Sequence, residues 1–324
     1  MLRTWLKAAV LIACIPLTAT QGAAQQYPVR PIRLISPYPP GGSNDVLARL
    51  LGERLTETLG QRVVVDNRPG ANTIVGTDIV AKSAPDGYTM VLLPNSFVTN
   101  PSFYHKLPYD TQKDFTPVAL LAISPQILLS HPSFPAATVK ELVALAKTKP
   151  PGYYSYGTSG NGSVGHLGVA LFGLMTGVQL EHIAYKGTAL AMNELLGGQI
   201  PLMMSSMLSM LPHVKSGRLR AFAVTTAKRS AAIPEVPSMA EAGVPGYEAI
   251  LWYGIVAAAR TPPSIVEKLG THLEKALQQP AIIDKLSSQG VEAYYNGPLP
   301  FAVRIREEVP KWAKVISSSG MRAE

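Results

Sequence analysis

The sequence predicts an α/β protein of two units with mixed, mainly parallel sheets. Three observations lead there. Apolar runs of strand length alternate with segments of helical periodicity, the pattern of parallel strands joined by crossover helices. The alternation occurs twice, once before about residue 124 and once after it. The chain's 324 residues, 47% of them hydrophobic, are ample for a packed core, and the length favours two domains.

Residues 32–36 form the first strand, with Ile32, Leu34 and Ile35 apolar. Residues 45–59 read as an amphipathic helix that carries Val46, Leu47, Leu50, Leu51, Leu55 and Leu59 and stops at Gly60. A second strand at 63–65 ends in Asn67-Arg68-Pro69-Gly70, a helix follows at 73–83, and Asp86-Gly87 turns into a strand at 89–93. The polar, proline-rich stretch 100–117 breaks the rhythm, and 118–129 is apolar again. Beyond it come a helix at 133–147, a strand at 153–156, a helix at 166–175, a strand at 179–183 and a helix at 190–196. Short strands at 200–204 and 220–225, an apolar strand at 252–258 and helices at 263–278 and 280–289 complete the pattern. Met203, Met204, Met207 and Met210, spaced with Leu202, Leu208 and Leu211, read as core packing rather than soft-metal ligands.

Only 15% of residues are charged, which argues against a disordered or coiled-coil chain. The formal charge of +8 is dispersed, without a basic run or a basic stripe with interleaved aromatics. It therefore argues against nucleic acid and for attraction of small anions. Residues 1–24 have the form of a secretory signal peptide: Arg3 and Lys7, an apolar run at 8–17, then small residues up to Gly22-Ala23-Ala24. The segment is too short for a transmembrane anchor, and its removal leaves 27 basic against 21 acidic residues. Cys14 closes Leu11-Ile12-Ala13-Cys14, which resembles a lipoprotein cleavage box, yet the apolar run ahead of it is shorter than such signals use. Lipid anchoring at Cys14 is thus the less favoured of two readings. The exported chain would hold no cysteine, which excludes disulfides, thiolate metal sites and a cysteine nucleophile.

Glycine-rich turns between strand and helix carry the candidate chemistry. In the stretch 37–49, PYPPGGSNDVLAR, the glycines permit a sharp turn, and Ser43, Asn44 or Asp45 can cap the helix that follows. A helix start offers unpaired N–H groups and about half a positive charge to an anion. It is not a P-loop, because no Gly-x4-Gly-Lys-Ser/Thr is present. The stretch 157–166 repeats the design, and Gly160-x-Gly162-x-x-Gly165 also matches the dinucleotide fingerprint, with Glu181 expected near the end of the next strand. A nucleotide-dependent oxidoreductase is therefore an alternative from the residues alone. Neither Ser159 nor Ser163 sits in Gly-x-Ser-x-Gly, and the six histidines show no paired ligand spacing, so hydrolase and metal chemistry are not expected. His166, at the loop-to-helix junction, can cap the helix or orient a ligand. Lys186-Gly187 form a third turn, while Asn95-Ser96 and Ser205-Ser206 place small polar groups where strands end, the usual place for ligands in open α/β sheets.

Several segments occur together in order: Pro39–Asp45, Asn67-Arg68-Pro69-Gly70-Ala71, Ala84-Pro85-Asp86-Gly87-Tyr88-Thr89, Lys113-Asp114-Phe115-Thr116-Pro117, Gly157–His166 and Tyr185-Lys186-Gly187. Gly217-Arg218-Leu219-Arg220-Ala221, Val236-Pro237-Ser238, Glu241–Tyr247 and Trp252-Tyr253-Gly254 follow. The set resembles the Bug family of extracytoplasmic solute receptors, the binding components of tripartite tricarboxylate transporters, over essentially the whole mature chain. The resemblance implies a periplasmic-binding-protein type II fold with a ligand cleft between lobes at 25–124 plus 248–324 and at 125–247. It implies a periplasmic monomer that binds a small carboxylate or related amide without chemistry, cofactor or metal, and delivers it to a membrane permease. A ligand sensor feeding a membrane kinase would share that chemistry. Carried onto this chain, the binding residues are Tyr38, Pro40, Gly41, Gly42, Ser43 and Asp45 on one side and Thr158, Ser159, Gly160, Asn161, Ser163 and His166 on the other. Asn95, Ser96, Lys186, Gly187, Ser205 and Ser206 join them. Two departures from the family pattern stand out: Ala71-Asn72-Thr73 replaces a usual Gly-Ala-Gly-Gly, and Ala184 precedes Tyr185 where proline is common. The first is expected to alter cleft polarity.

Overall fold

Two sheets organise the computed structural model, which describes residues 27–41, 43–185, 188–288 and 291–321. The expected signal peptide with Cys14, and the candidate site residues Gly42, Lys186 and Gly187, lie outside the described residues. The chain begins with β1 (Ile32–Ser36), α1 (Ser43–Leu59), β2 (Val63–Asn67), α2 (Ile74–Ala81), β3 (Thr89–Pro94), α3 (Ser96–Phe103) and β4 (Phe115–Ser124). It continues with β5 (Gln126–Ser130), α4 (Val139–Lys147), β6 (Ser155–Thr158), α5 (Val164–Thr176), β7 (Glu181–Ala184), α6 (Thr188–Leu196), β8 (Leu202–Ser206), α7 (Met207–Lys215) and β9 (Arg220–Val224). It closes with β10 (Leu251–Ala258), α8 (Pro263–Leu277), α9 (Pro280–Ser288), β11 (Glu292–Asn296) and α10 (Pro298–Ser319).

The first sheet runs β11-β4-β10-β3-β1-β2 and the second β7-β6-β8-β5-β9. Each is an α/β lobe whose heart is a parallel trio with its first strand in the middle: β1 between β2 and β3, β6 between β7 and β8. The sheets are mixed, but they are less parallel than the sequence suggests. Among the described strands four pairings are parallel and five antiparallel. The reason is topological. β10 returns from the second sheet and inserts between β3 and β4, and β5 enters the second sheet between β8 and β9, each running against its neighbours. Ile32, Leu34 and Ile35 of β1 are all fully buried, as in a strand covered on both faces.

The chain passes between sheets twice, at Ser124-Pro125-Gln126 and between β9 and β10. The two crossings are tied together: the Gln126 amide donates to Thr225 Oγ1 at 2.9 Å, and the Thr225 amide donates to Gln126 O at 3.0 Å. α10 packs against α3 of the first lobe and α5 of the second. Its buried Glu308 accepts hydrogen bonds from the indoles of Trp252 (2.9 Å) and Trp312 (3.2 Å) and from Arg304 at 2.7 Å, so this carboxylate is fully partnered where it is buried.

Other differences from expectation have local causes. The second half of α3 falls inside the stretch 100–117, which the prolines seemed to exclude from helix. Pro101 lies near the end of α3; it removes one donor, and the Thr111 hydroxyl approaches the carbonyl of Phe97, four residues before it, at 3.5 Å. α4 starts at Val139 rather than near 133, because Thr138 and Glu141 form a reciprocal cap: Glu141 N donates to Thr138 Oγ1 (3.2 Å), and Ala137 N donates to Glu141 Oε2 (2.7 Å). Met203, Met204, Met207 and Met210 are buried in the second lobe, as core residues.

Candidate ligand-binding site

In both lobes the loop after the central strand leaves the sheet where successive crossovers diverge to opposite sides, the place where open α/β sheets receive ligands. In the first lobe this loop is built around Asp45, only 3% exposed. Its carboxylate accepts from Gly41 N (2.9 Å), Arg49 Nε (3.0 Å) and Asn67 Nδ2 (2.8 Å), and Asn67 Nδ2 also donates to Tyr38 O at 3.0 Å. Burial pushes the Asp45 carboxyl up, but these donors outweigh it and hold the group below its ordinary 3.8. Asn44 ties the same turn to the sheet: Ser36 Oγ donates to its Oδ1 at 2.9 Å, and its Nδ2 donates to Leu92 O at 3.1 Å. The first loop is thus a braced arch that fixes Tyr38.

The second-lobe loop is held by two stacked histidines. His166 and His182 lie 3.7 Å apart between ring centroids, at 19°. Gly162 N donates to His166 Nδ1 at 3.2 Å, and His182 Nε2 lies 2.7 Å from Thr158 Oγ1. Gly160 N donates to the same Thr158 hydroxyl oxygen at 3.2 Å, and Ser163 caps α5 by accepting from His166 N at 3.3 Å. Burial, and secondarily His182, push the His166 imidazole down to about 3; burial pushes His182 down to about 4. Both rings are therefore neutral at ordinary pH. Since His166 Nδ1 accepts from a backbone amide, the ring is committed to holding the loop and is not aimed at the Ser163 hydroxyl as a base.

A cavity of about 390 Å³ opens between the lobes. The first lobe contributes Tyr38, Asn72, Pro94, Asn95, Ser96, Thr99, Phe103, Tyr104 and Leu251; the second contributes Asn161, Gly162, Ser163, Val164 and Leu167. None of these described lining residues is charged. Two helix starts border it, α3 at Ser96 and α5 at Val164, so the first turn of a helix from each lobe lies against one space. Gly162, with φ +68°, touches the opposite lobe there: a Cβ on it would lie 3.3 Å from Phe103.

Five of the sequence-predicted residues come together on this cavity: Tyr38, Asn95, Ser96, Asn161 and Ser163. The other described ones lie elsewhere. Pro40, Gly41 and Ser159 are exposed, and Ser43 is half-buried beside the Tyr253 phenol. Asp45, Thr158, Gly160 and His166 spend their polar groups within their own loops. Ser205 is buried in the second sheet, and Ser206 Oγ lies 3.3 Å from Ser124 Oγ at a lobe crossing. Thr99, Phe103 and Tyr104 were not assigned from the sequence, because Pro101 hid the helix that carries the first two and ends just before the third. Asn72 was legible only as a departure from a glycine-rich turn.

The dinucleotide fingerprint dissolves on inspection. Gly165 is required because a Cβ would meet the Met204 carbonyl oxygen at 2.5 Å; it lets α5 press on β8. Glu181 opens β7, paired with Ser155 at the start of β6, and so lies at the opposite end of the strands from the 158–163 loop. Among the described residues no three His, Cys, Asp or Glu side chains gather where they could hold a metal ion. A second cavity of about 620 Å³ lies behind the histidine pair, between α5 and the end of α10, and includes Tyr156, Glu181 and Ser318.

Comparison with known proteins adds three findings. The profile of a family described as "Tripartite tricarboxylate transporter family receptor" matches residues 47–321. The protein BugT of Bordetella pertussis is 38% identical over 302 residues, covering 93% of this chain and 92% of BugT. Among solved structures, an R. palustris protein with adipate is 36% identical at a TM-score of 0.72, covering 92% of this chain and all of that one. MatC from Rhodopseudomonas palustris with bound malate is 30% identical at a TM-score of 0.69, covering 90% of this chain and all of MatC.

Proposed function

The chain belongs to the tripartite tricarboxylate transporter receptor family, and from that premise we propose that it is a periplasmic receptor that captures a small carboxylate and passes it to the membrane permease of such a transporter. The observation that carries the reading is the uncharged cavity between the lobes, onto which α3 and α5 both begin. An anion there meets first-turn N–H groups from two sides without a counter-cation. Each helix-start contact contributes roughly 0.3–2 kcal/mol. Charge-assisted hydrogen bonds to backbone N–H and to Ser96 or Ser163 add about 1.5–3 kcal/mol apiece. A few of these in a closed cleft reach micromolar binding, about −8 kcal/mol.

The lobes are taken as 25–124 with 248–324, and 125–247, and they close about the paired crossings at Gln126 and Thr225. Closure would bring Asn161–Val164 onto Tyr38, Asn95 and Ser96 and present a changed surface to the permease. The adipate and malate bound by the two Rhodopseudomonas relatives support a carboxylate as the ligand class. The protein acts as a monomer, needs no cofactor and leaves the ligand chemically unchanged. Export follows from the 1–24 segment. Thermal-shift titration with mono- and dicarboxylates, with mass spectrometry of whatever co-purifies, tests the reading. Stabilisation by at least one carboxylate is expected; stabilisation by none, or by NAD(P) instead, overturns it.

A further inference from the structure

The first-lobe wall of the cleft carries two asparagines whose side chains the fold leaves for a ligand. Asn100 is completely buried, and its Nδ2 donates to the Asn72 carbonyl oxygen at 2.8 Å. A carbonyl oxygen only accepts, so the orientation of the Asn100 carboxamide is fixed, with Oδ1 on its other side. Asn72 Nδ2 donates to that Oδ1 at 2.8 Å. The orientation of Asn72 is therefore fixed as well: one Nδ2 hydrogen is spent on Asn100, and Oδ1 is the acceptor it offers, beside its second Nδ2 hydrogen, to the cavity it lines. The backbone is held in an unusual form to present it: Ala71, Asn72 and Thr73 have φ of 44°, 47° and 79° in succession, without a glycine.

Asn95 is the second observation, and it is independent of the first. It is 3% exposed and lines the cavity, and its carboxamide makes no hydrogen bond among the described residues. It is not among the sealed orphan polar atoms either, which are Asp78 Oδ1, Tyr109 OH, Ser130 Oγ and His272 Nδ1. An amide buried this deeply yet open to the cleft is one that a ligand completes.

We infer that Asn72 and Asn95 determine specificity, and that the preferred ligand is a carboxylate carrying an uncharged hydrogen-bond donor, a hydroxyl or an amide N–H, which Asn72 Oδ1 accepts. This rests on the carboxylate reading above. Asn72 is exposed in this structure, so closure over a ligand that puts a carboxylate oxygen or a bare methylene opposite Oδ1 would strip water from that acceptor without supplying a donor, and a site built to bond a ligand O–H or N–H rejects analogues that lack it. The fixed carboxamide thus turns a carboxylate cleft into one that reads the ligand's substituents.

The test is calorimetric titration of the full mature chain with matched pairs: malate against succinate, adipamate against adipate, and 4-hydroxybutyrate against butyrate. The donor-bearing member of each pair that binds is expected to bind at least about tenfold tighter. In Asn72→Gly, whose glycine tolerates the positive φ, that preference is expected to shrink to within about twofold, with the donor-bearing members losing affinity and the donor-free members binding as tightly or tighter. Asn95→Ala, with an unchanged melting temperature, is expected to weaken the donor-bearing members more than the donor-free ones. Equal affinities within the wild-type pairs, or a preference that survives Asn72→Gly, overturn the inference and leave the receptor reading standing. Failure of every carboxylate to bind overturns the receptor reading itself, and the inference with it.

Discussion

The two loops that flank the cleft occupy the same topological position and are braced by opposite chemistry. The first is pinned by an ionised, buried carboxylate, Asp45, which draws in Gly41, Arg49 and Asn67. The second is pinned by neutral imidazoles, His166 and His182, that hold Gly162 and Thr158. Their glycines differ too. Gly41 is a matter of backbone conformation alone, because its φ is +93° and nothing lies within 4 Å of where a Cβ would be. Gly165 is a matter of space, with the Met204 carbonyl oxygen 2.5 Å from that point. Similar glycine-rich strings therefore encode an arch supported from within in one lobe and a helix pressed against its sheet in the other.

The largest effect is expected from breaking that second arrangement. Gly165→Ala forces α5 off β8 and should cost about 3 kcal/mol in urea unfolding. Asp45→Ala strands the Gly41 amide and the Asn67 carboxamide and should cost about 2–3 kcal/mol in the same measurement. It should also weaken ligand binding, because Tyr38 loses its anchor through Asn67. Gly41→Ala, which has room, should cost only the left-handed backbone penalty, about 1 kcal/mol. Equal costs for Gly41→Ala and Gly165→Ala would erase the contrast between the loops.

A pH titration sharpens the comparison with a smaller, graded effect. The folded-state values of His166 and His182 lie below their ordinary 6.5, so the unfolded chain binds protons that the native one refuses. Their contribution is complete above about pH 6.5 and is lost as pH falls from there toward about 4. Asp45 is also depressed, but from 3.8, so its brace is lost only at more acid pH. The melting temperature should fall between pH 7 and 4.5, roughly the window set by the imidazoles. His182→Gln keeps a hydrogen-bonding group for Thr158 without a titrating ring, and should flatten that slope. An unchanged slope in the variant would assign the acid sensitivity to other groups.

Much of this was readable in the sequence, and what escaped did so for identifiable reasons. β1 and the four crossover units of the two parallel trios show in periodicity because burial of both strand faces and one helix face dictates it. The strand direction of β10 and β5 does not show, since whether a buried apolar strand runs parallel or antiparallel depends on where the chain re-enters a sheet. Asp45, Thr158 and His166 have the residue types and spacing of ligand groups, and only the fold shows that their polar atoms are bonded within their own loops. Asn95 and Ser96 were placed on the cavity wall by the topological signal of polar residues at strand ends. Asn72 and Phe103 needed three dimensions, one being presented by an unusual backbone and the other by a helix that tolerates Pro101.

An anion seated between the starts of α3 and α5 would be seen in a crystal structure of the protein soaked or co-purified with its best-binding carboxylate. Carboxylate oxygens are expected within hydrogen-bonding distance of first-turn N–H groups at Ser96–Phe97 and Val164–Gly165, with Asn72 and Asn95 facing the rest of the molecule. Ligand lodged behind the His166–His182 pair, or at the start of α1, would contradict it.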